Sequence, residues 1–228
     1  MQTPQFPECQ HLTIKSLFRY SDQDLLTLFQ RYPEQGKYFV ALFCRYNPIV
    51  YTLIAHSARS PVQGDYLFAL TWRHAFYEMR SLELRGQNAH ASSFQNWLIN
   101  VTAMCINQVE LPPVEAITYS LESASPPLWC YLEQALDRLP PIVRLILIMA
   151  KTFKWSPTRI AAYLQAEGDM ISPAQVQDYL NESYGLLTLQ LPEDIRVIYL
   201  GEEEATAEML GGSSGGAAAE ATLALSDS

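Results

Sequence analysis

Basic and amide side chains gather in one part of the sequence, and their types suit contact with a polyanion. Lysine and arginine neutralise phosphates, while glutamine and asparagine amides can hydrogen-bond the edges of bases. Solvated surface charge is the alternative explanation for the cations, and the sequence leaves both open. The candidates in this group are Lys151, Lys154, Arg159, Gln175, Gln177 and Asn181.

A second group of candidates lies earlier in the chain. Arg73, Arg80 and Arg85 follow the end of one predicted helix, where they either contact phosphate or remain solvated. Trp97 and Trp155 could stack on an unpaired base. Packing in the protein core is the favoured interpretation of both tryptophans.

Other kinds of site find no support in the sequence. It shows no nucleophile beside a base and no Gly-rich phosphate loop, so we expect neither an enzyme nor a cofactor. The histidines and cysteines lack metal-ligand spacing, so no metal site is expected. Buried free thiols in a reducing cytosol are favoured over disulfides. The cysteines are Cys9, Cys44, Cys105 and Cys130.

The net charge of −9 is unevenly distributed. Residues 1–20 and 21–108 each carry +1, and residues 128–190 carry −1. Residues 109–127 carry −3, and residues 191–228 carry −7. The acidity is therefore confined to a predicted linker and a tail. Binding to nucleic acid is not excluded, but no basic patch favours it.

No membrane segment is expected. The N-terminus lacks the basic and apolar regions of a signal peptide. The longest apolar run, Ile142 to Ala150, contains Arg144 and is much shorter than the ~20 residues of a membrane span. We therefore expect a cytoplasmic protein.

Three helices are predicted between residues 139 and 187. Each begins at a proline suited to the first helical turn, at Pro140, Ser156-Pro157 and Ser172-Pro173. Gln175 completes a capping box with Ser172. A buried helix, a short helix and a third helix form the outline of a helix-turn-helix, although a plain helical bundle would show the same pattern.

The rest of the chain is also predicted to be helical. Helices are expected from Ser21, from Lys37 to His56 with a kink or break at Pro48, from Ser60, and from Ser93. The fold class is therefore all-α, with two small helical domains at 21–108 and 128–190.

Three segments are predicted to lie outside the two domains. Residues 1–20 should form an extended N-terminal arm, pinned to the body by Leu12, Ile14, Leu17 and Phe18. The Pro-rich residues 109–127 should form a linker, packed on a domain or inserted into a partner's groove. Residues 191–200 should be extended, and the acidic tail after Gly201 should be disordered.

This order of parts resembles the two-domain plan of sigma-70 factors of the extracytoplasmic-function type. Phe94-x-x-Trp97-Leu98-Ile99 is similar to the helix of the family's promoter-melting region. Asp65 through Phe76 stands where the family has its polymerase-clamp helix. Ala135-Leu136-Asp137-x-Leu139-Pro140 is similar to the entry to region 4, whose helix-turn-helix would be Trp155 to Leu187.

The resemblance implies a transcription factor with no catalytic activity. The first domain would dock on core RNA polymerase and open the promoter, and the second would read promoter DNA with its last helix. It also leaves room for a regulatory protein as a further partner. The implied polymerase-binding residues are Asp65, Phe68, Trp72 and Arg73.

The sequence also departs from the family. The docking glutamine of the clamp helix is absent, and no Lys or Arg lies between Arg85 and Arg138. The third helix of the helix-turn-helix has Asp178 and Glu182 but no base, and the turn before it is lengthened. A sigma-derived adaptor that acts through protein contacts, without sequence-specific DNA binding, is therefore the alternative.

Overall fold

The structure is a computed structural model that describes residues 3–84 and 93–201. All regular elements in this part of the chain are helical, which confirms the all-α fold class. Two 3₁₀ turns, Pro7–Gln10 and Val114–Ala116, accompany the α-helices. Arg85 and the tail predicted to be disordered lie outside the described residues.

Ten α-helices occupy the described ranges. They are α1 (Leu12–Leu17), α2 (Asp22–Arg31), α3 (Lys37–Ser57), α4 (Pro61–Glu78), α5 (Phe94–Gln108), α6 (Pro126–Arg138), α7 (Pro141–Lys151), α8 (Pro157–Glu167), α9 (Pro173–Gln190) and α10 (Glu193–Leu200).

Side-chain caps begin several of these helices at the predicted positions. Ser21 and Asp24 form a reciprocal capping box at α2, and Ser172 and Gln175 form another at α9. At α8, the Ser156 hydroxyl accepts a hydrogen bond from the amide three residues on, at 3.4 Å. Each cap satisfies an amide that the first turn of a helix leaves free.

Helix α3 continues through Pro48 without a break. Proline has no amide hydrogen for the carbonyl of Cys44, four residues earlier. The side-chain amide of the buried Asn47 donates to that carbonyl instead, at 3.2 Å. A local side chain thus replaces the backbone hydrogen bond that proline removes.

The buried side chains form one large core and one small core. The large core extends from Phe6 to Ile195 and includes residues of both predicted units, 21–108 and 128–190. Helix α6, from the second unit, packs on α4 of the first and also on α9. The small core lies among α7, α8 and α9.

The predicted linker, 109–127, contributes Tyr119 to the large core. Tyr119 is buried, and its ring centroid lies 5.0 Å from that of Trp129. Its hydroxyl donates to the carbonyl of Ala124 at 2.7 Å. These contacts support packing within the chain over insertion into a partner's groove.

The N-terminal segment is helical over much of its length, so the prediction of an extended arm is wrong. The 3₁₀ turn Pro7–Gln10 begins at a proline. Helix α1 follows it, and the His11 side chain caps α1 by accepting from the Thr13 amide at 3.3 Å. Of the four predicted anchors, Ile14 and Leu17 are buried, whereas Leu12 and Phe18 are exposed.

Cys9 and Cys44 form a disulfide bond, so the prediction of free thiols is wrong for this pair. Their Cα atoms are 5.4 Å apart although 35 positions separate them in sequence. Constraining a loop of that length in the unfolded chain stabilises a protein by about 4 kcal/mol in the chain-entropy account. Cys105 and Cys130 are free and buried, as predicted.

Within residues 191–200, Glu193–Leu200 form α10, and the prediction of an extended segment is wrong. The β-branched residues of this segment favour a strand in isolation. Pro192 at the N-cap and the acidic residues Glu193 and Asp194 in the first turn favour a helix. Packing of Ile195 into the large core further stabilises the helix.

Helix α10 also caps α3. The Asp194 carboxylate accepts hydrogen bonds from the amides of Gly36 at 3.0 Å and Lys37 at 2.9 Å. Gly36, at the N-cap of α3, has no side chain to do this itself. A Cβ atom at Gly36 would overlap the Ile195 side chain and lie 2.9 Å from Cε2 of Tyr131.

We expect Gly36→Ala to lower the free energy of unfolding by about 1–3 kcal/mol, because α10 must move to accommodate the methyl group. Gly185→Ala is the matched control, since a Cβ atom there meets nothing within 4 Å. Gly185 lies inside α9, so its substitution should raise the unfolding free energy by about 0.5–1 kcal/mol. Urea unfolding measures both changes, and equal effects of the two substitutions would contradict the tight contact.

Glu8 connects the N-terminal segment to α10. The Tyr199 hydroxyl donates to Oε1 of Glu8 at 3.0 Å, and the Ser125 hydroxyl donates to Tyr199 at 3.2 Å. Glu8 is only 5% exposed. Burial raises the pKa of its carboxyl above the ordinary 4.5, and hydrogen bonds from Ser125, its own backbone and Tyr199 partly oppose this.

The raised pKa predicts a stability that falls as the pH rises. At a pH between the pKa of Glu8 in the unfolded chain and its higher pKa in the folded chain, the folded chain binds more protons than the unfolded chain. The free energy of unfolding therefore decreases as the pH rises through this range. Glu8→Gln keeps an acceptor but cannot ionise. We expect it to match the wild type near pH 4 and to have the higher unfolding free energy at pH 7. Parallel pH profiles of the two proteins in urea unfolding would contradict this account.

Candidate functional site

Helices α7, α8 and α9 form a three-helix unit around the small core. Its buried members lie on the inward faces of all three helices: Ile146, Met149, Ile160, Ala161, Leu164 and Val176. Helix α8 ends at Gly168, whose φ of 105° is left-handed and therefore suits glycine. The order and caps of these helices are those predicted for the helix-turn-helix stretch.

The connection between α7 and α8 has an unusual backbone. Lys154 has a φ of 53°, the left-handed region that side chains with a Cβ atom disfavour. The next amide, of Trp155, donates to the carbonyl of Met149 at 3.2 Å and holds the turn closed. Phe153, just before the turn, is 57% exposed.

Aromatic rings and cations meet at this turn. The Arg159 guanidinium lies 4.2 Å from the ring centroid of Trp155. The rings of Phe153 and Tyr163 each lie 5.8 Å from that of Trp155. Tyr163 and Arg159 are exposed, and Trp155 is half-buried. We refer to Phe153, Lys154, Trp155, Arg159 and Tyr163 as the corner cluster.

The cations at this corner are available for an external anion. Lys154 is exposed, and Lys151 lies over the ring of Tyr184 with Nζ 4.8 Å from the centroid. No carboxylate in residues 3–84 or 93–201 forms an ion pair with Lys151, Lys154 or Arg159.

The amide residues predicted on α9 are exposed but partly engaged. Oε1 of Gln175 accepts from the amide and hydroxyl of Ser172, at 2.9 and 3.0 Å. Nε2 of Gln177 donates to Oδ1 of Asn181 at 2.9 Å. Asp178 is exposed between them. The cap therefore occupies the carbonyl of Gln175, while the Gln177–Asn181 pair faces outward.

The residues predicted to bind polymerase lie mostly inside the large core. Phe68 and Trp72 are fully buried. Asp65 is half-buried and accepts from the Tyr51 hydroxyl at 3.0 Å. Burial raises the pKa of Asp65, the hydrogen bond from Tyr51 opposes this, and burial with the Asp65 charge raises the pKa of Tyr51 to about 12. Contact between polymerase and Phe68 or Trp72 would require α4 to be uncovered.

Arg73 is used within the chain, between α4 and α6. Its Nε lies 3.0 and 2.9 Å from the two carboxylate oxygens of Glu133, and its Nη2 donates to the same group. The hydrogen bond that Arg73 donates to Glu133 raises the pKa of Arg73. The Tyr77 hydroxyl donates to Glu133 at 3.0 Å. This ion pair joins the two units that the sequence predicts as separate domains.

The remaining candidates lie apart from the corner cluster. Arg80 is exposed and stacks over Phe76 and Tyr77, 5.1 and 5.2 Å from their ring centroids. Trp97 is half-buried against Phe94, with ring centroids 5.2 Å apart. Core packing, the favoured interpretation of Trp97, agrees with this placement.

Two members of the corner cluster are absent from the sequence-based candidates. Phe153 and Tyr163 were missed because each also fits a helical apolar pattern, and such a residue is usually buried. The signal that could have found them is the alternation of aromatic and basic residues from Lys151 to Tyr163. That alternation is typical of surfaces that bind single-stranded or distorted nucleic acid.

Two further features of the described residues concern metal ions and membranes. No group of three or more His, Cys, Asp or Glu side chains there could hold a metal ion. One helix, α3, is long and apolar enough to cross a membrane by length and composition alone. More than half of it is buried inside the bundle, as in the core helix of many proteins.

Comparisons with protein-family models, with curated proteins and with solved structures give no match to this chain.

Proposed function

We propose that this protein is a sigma-70-like transcription factor that binds core RNA polymerase and promoter DNA in the cytoplasm. The observation that carries the proposal is the corner cluster on a three-helix unit of helix-turn-helix outline. Cations that pair with no carboxylate among residues 3–84 and 93–201 lie there beside exposed aromatic rings. Core RNA polymerase and promoter DNA are inferred as partners from the resemblance of the sequence to sigma-70 factors.

The corner cluster can contact DNA in two ways. Lys154 and Arg159, with Lys151 behind them, can neutralise phosphates next to the free amides of α8. In helix-turn-helix proteins the first helix crosses the backbone, so phosphate contacts from the start of α8 suit that geometry. The Trp155–Arg159 stack offers a flat surface for an unpaired base. Gln177 and Asn181 on α9 can contact base edges.

The proposal includes sigma-like domains at 21–108 and 128–190 that are closed onto each other. The Arg73–Glu133 ion pair between α4 and α6 describes such a closed state. Docking of α4 on the polymerase then requires the units to separate or the N-terminal segment to move. Separation of the units would open the core that they share.

A second candidate function has one specific observation in its favour. The exposed side of α9 carries Asp178 and Glu182, and no Lys or Arg lies between Pro173 and Leu187. Such a helix would repel a phosphate backbone. A sigma-like adaptor that uses α9 against a protein partner would show polymerase binding without duplex binding.

Association with core RNA polymerase tests the proposed function directly. At low salt we expect the full chain to co-elute with purified bacterial core polymerase in gel filtration. A primary sigma factor should displace it, because both would use the same docking site. Failure to co-elute at low salt, with the primary sigma factor binding normally, would overturn the proposal.

A titration of duplex DNA tests the corner cluster. We expect Lys151→Gln, Lys154→Gln and Arg159→Gln together to weaken binding at 0.1 M salt by roughly 10- to 100-fold, and to reduce the salt slope by about 0.9 for each lost phosphate contact. Arg31→Gln is the matched control, because Arg31 is an exposed arginine that stacks on Tyr32 far along the chain.

The same titration separates the two candidate functions. Equal losses from the triple variant and from Arg31→Gln would show that the corner cluster is not the DNA-binding surface. No duplex binding by the wild type, with core polymerase binding intact, would favour the adaptor.

A further inference from the structure

The disulfide bond between Cys9 and Cys44 is placed where a reductant can reach it. Both residues are partly exposed. The two free cysteines, Cys105 and Cys130, are buried, and burial raises the pKa of both thiols. The disulfide pair is therefore the accessible pair, and the buried thiols are protonated and unsuited to compete in exchange.

The bond fastens a short segment over one end of α4. Phe6 is buried with its ring centroid 4.8 Å from Phe43 and 6.0 Å from Phe68. Phe68 also meets Tyr51, whose hydroxyl bonds Asp65. Among the described residues, the rings of Phe6, Phe43, Tyr51 and Trp72 lie near Phe68, and Phe6 is the one that residues 3–10 supply.

The rest of the N-terminal region is held independently of the disulfide. The Arg45 guanidinium donates to the carbonyls of Phe18 and Tyr20, at 3.2 and 2.9 Å, and pairs with Asp22. Ile14 of α1 is fully buried. Loss of the disulfide therefore acts on residues 3–10, while α1 and α2 keep their own anchors.

Docking of residues 3–10 buries a carboxyl group, and the disulfide offsets the free-energy cost of that burial. Glu8, next to Cys9, brings a carboxyl group into a site where it is 5% exposed. The hydroxyl of Tyr199 is its hydrogen-bond donor from α10, at 3.0 Å. Burial raises the pKa of this carboxyl, which means that burial disfavours its ionised form in the docked segment. The covalent link between Cys9 and Cys44 opposes release of the segment.

We propose that Cys9–Cys44 is a thiol–disulfide exchange site whose reduction releases residues 3–10 and uncovers Phe68. A dithiol reductant supplies the two electrons: its thiolate attacks one sulfur, and the other sulfur of the pair leaves as a thiolate and takes up a proton. The second thiolate of the reductant then attacks the reductant's own sulfur in the mixed disulfide, and the second cysteine of the pair leaves as a thiolate and takes up a proton. The chain gains two thiols, and the reductant becomes a disulfide.

The consequence for polymerase rests on the proposed function. Phe68 and Asp65 belong to the surface of α4 proposed to dock on core polymerase. The oxidised chain keeps that surface under Phe6, and the reduced chain presents it. The disulfide would then couple docking to the thiol redox state around the protein.

Amide hydrogen exchange of the oxidised and dithiothreitol-reduced full chain tests the release. Thiol titration after unfolding should count two thiols in the oxidised chain and four in the reduced chain. The amides of Cys9 and His11 bond the carbonyls of Phe6 and Glu8, and their exchange should be at least about tenfold faster after reduction. Peptides of α7 to α9 should not change.

The variant Cys9→Ser with Cys44→Ser is the control for direct effects of the reductant. It should exchange like the reduced wild type and should not respond to dithiothreitol. Unchanged exchange at residues 3–10 after reduction would overturn the proposal. A rise that extends equally through α7 to α9 would also overturn it, because that result describes general unfolding.

Gel filtration with core polymerase, run on the same two samples, separates this inference from the proposed function. Stronger co-elution of the reduced chain supports the coupling. Faster exchange at residues 3–10 with equal polymerase binding in both states overturns the coupling. Faster exchange with no polymerase binding in either state overturns the proposed function and supports the exchange site.

Discussion

The start of α3 is the constraint on which the rest of the packing depends. Its N-cap is Gly36, which cannot cap its own helix, so the Asp194 carboxylate from α10 does so across 158 positions of sequence. The same glycine leaves the space that Ile195 occupies. Helix α3 is the longest helix described and carries the aromatic residues that pack on α4. One distant contact therefore places α10 and α3 in a single core.

That single core changes the meaning of the resemblance to a two-domain factor. Arg73 and Glu133 bridge α4 and α6, and Tyr119 fastens the intervening segment to Trp129. A half-buried ion pair with several hydrogen bonds is costly to break one partner at a time, because the remaining charge loses its compensation. The surface that a sigma factor would offer to polymerase is instead a surface that this chain uses on itself. Any docking through α4 must replace those contacts with better ones.

The sequence predicted those features that depend on neighbours within a few positions. The caps at Ser21, Ser156 and Ser172 act within three residues, and the structure has them where they were expected. The disulfide and α10 were mispredicted because each is decided by distant parts of the chain. No residue near Cys9 in the sequence indicates that its disulfide partner is Cys44. In α10, the β-branched residues favour a strand, and the helix is stabilised by the packing of Ile195 beside Gly36.

For a related reason, the sequence predicted only some of the residues of the candidate site. Charge type could be read directly, so Lys154 and Arg159 were candidates before the structure. The exposure of a side chain could not be read from the sequence, and exposure is what makes Phe153 and Tyr163 part of the same surface. The helix that the motif nominates, α9, has its Gln175 carbonyl occupied by the cap and an acid beside Gln177. Because affinity for a polyanion needs unpaired positive charge before it needs base contacts, the turn before α8 is better suited than α9 to the proposed DNA contact. In that proposal, α9 would meet bases only after the turn or a partner had brought the duplex close.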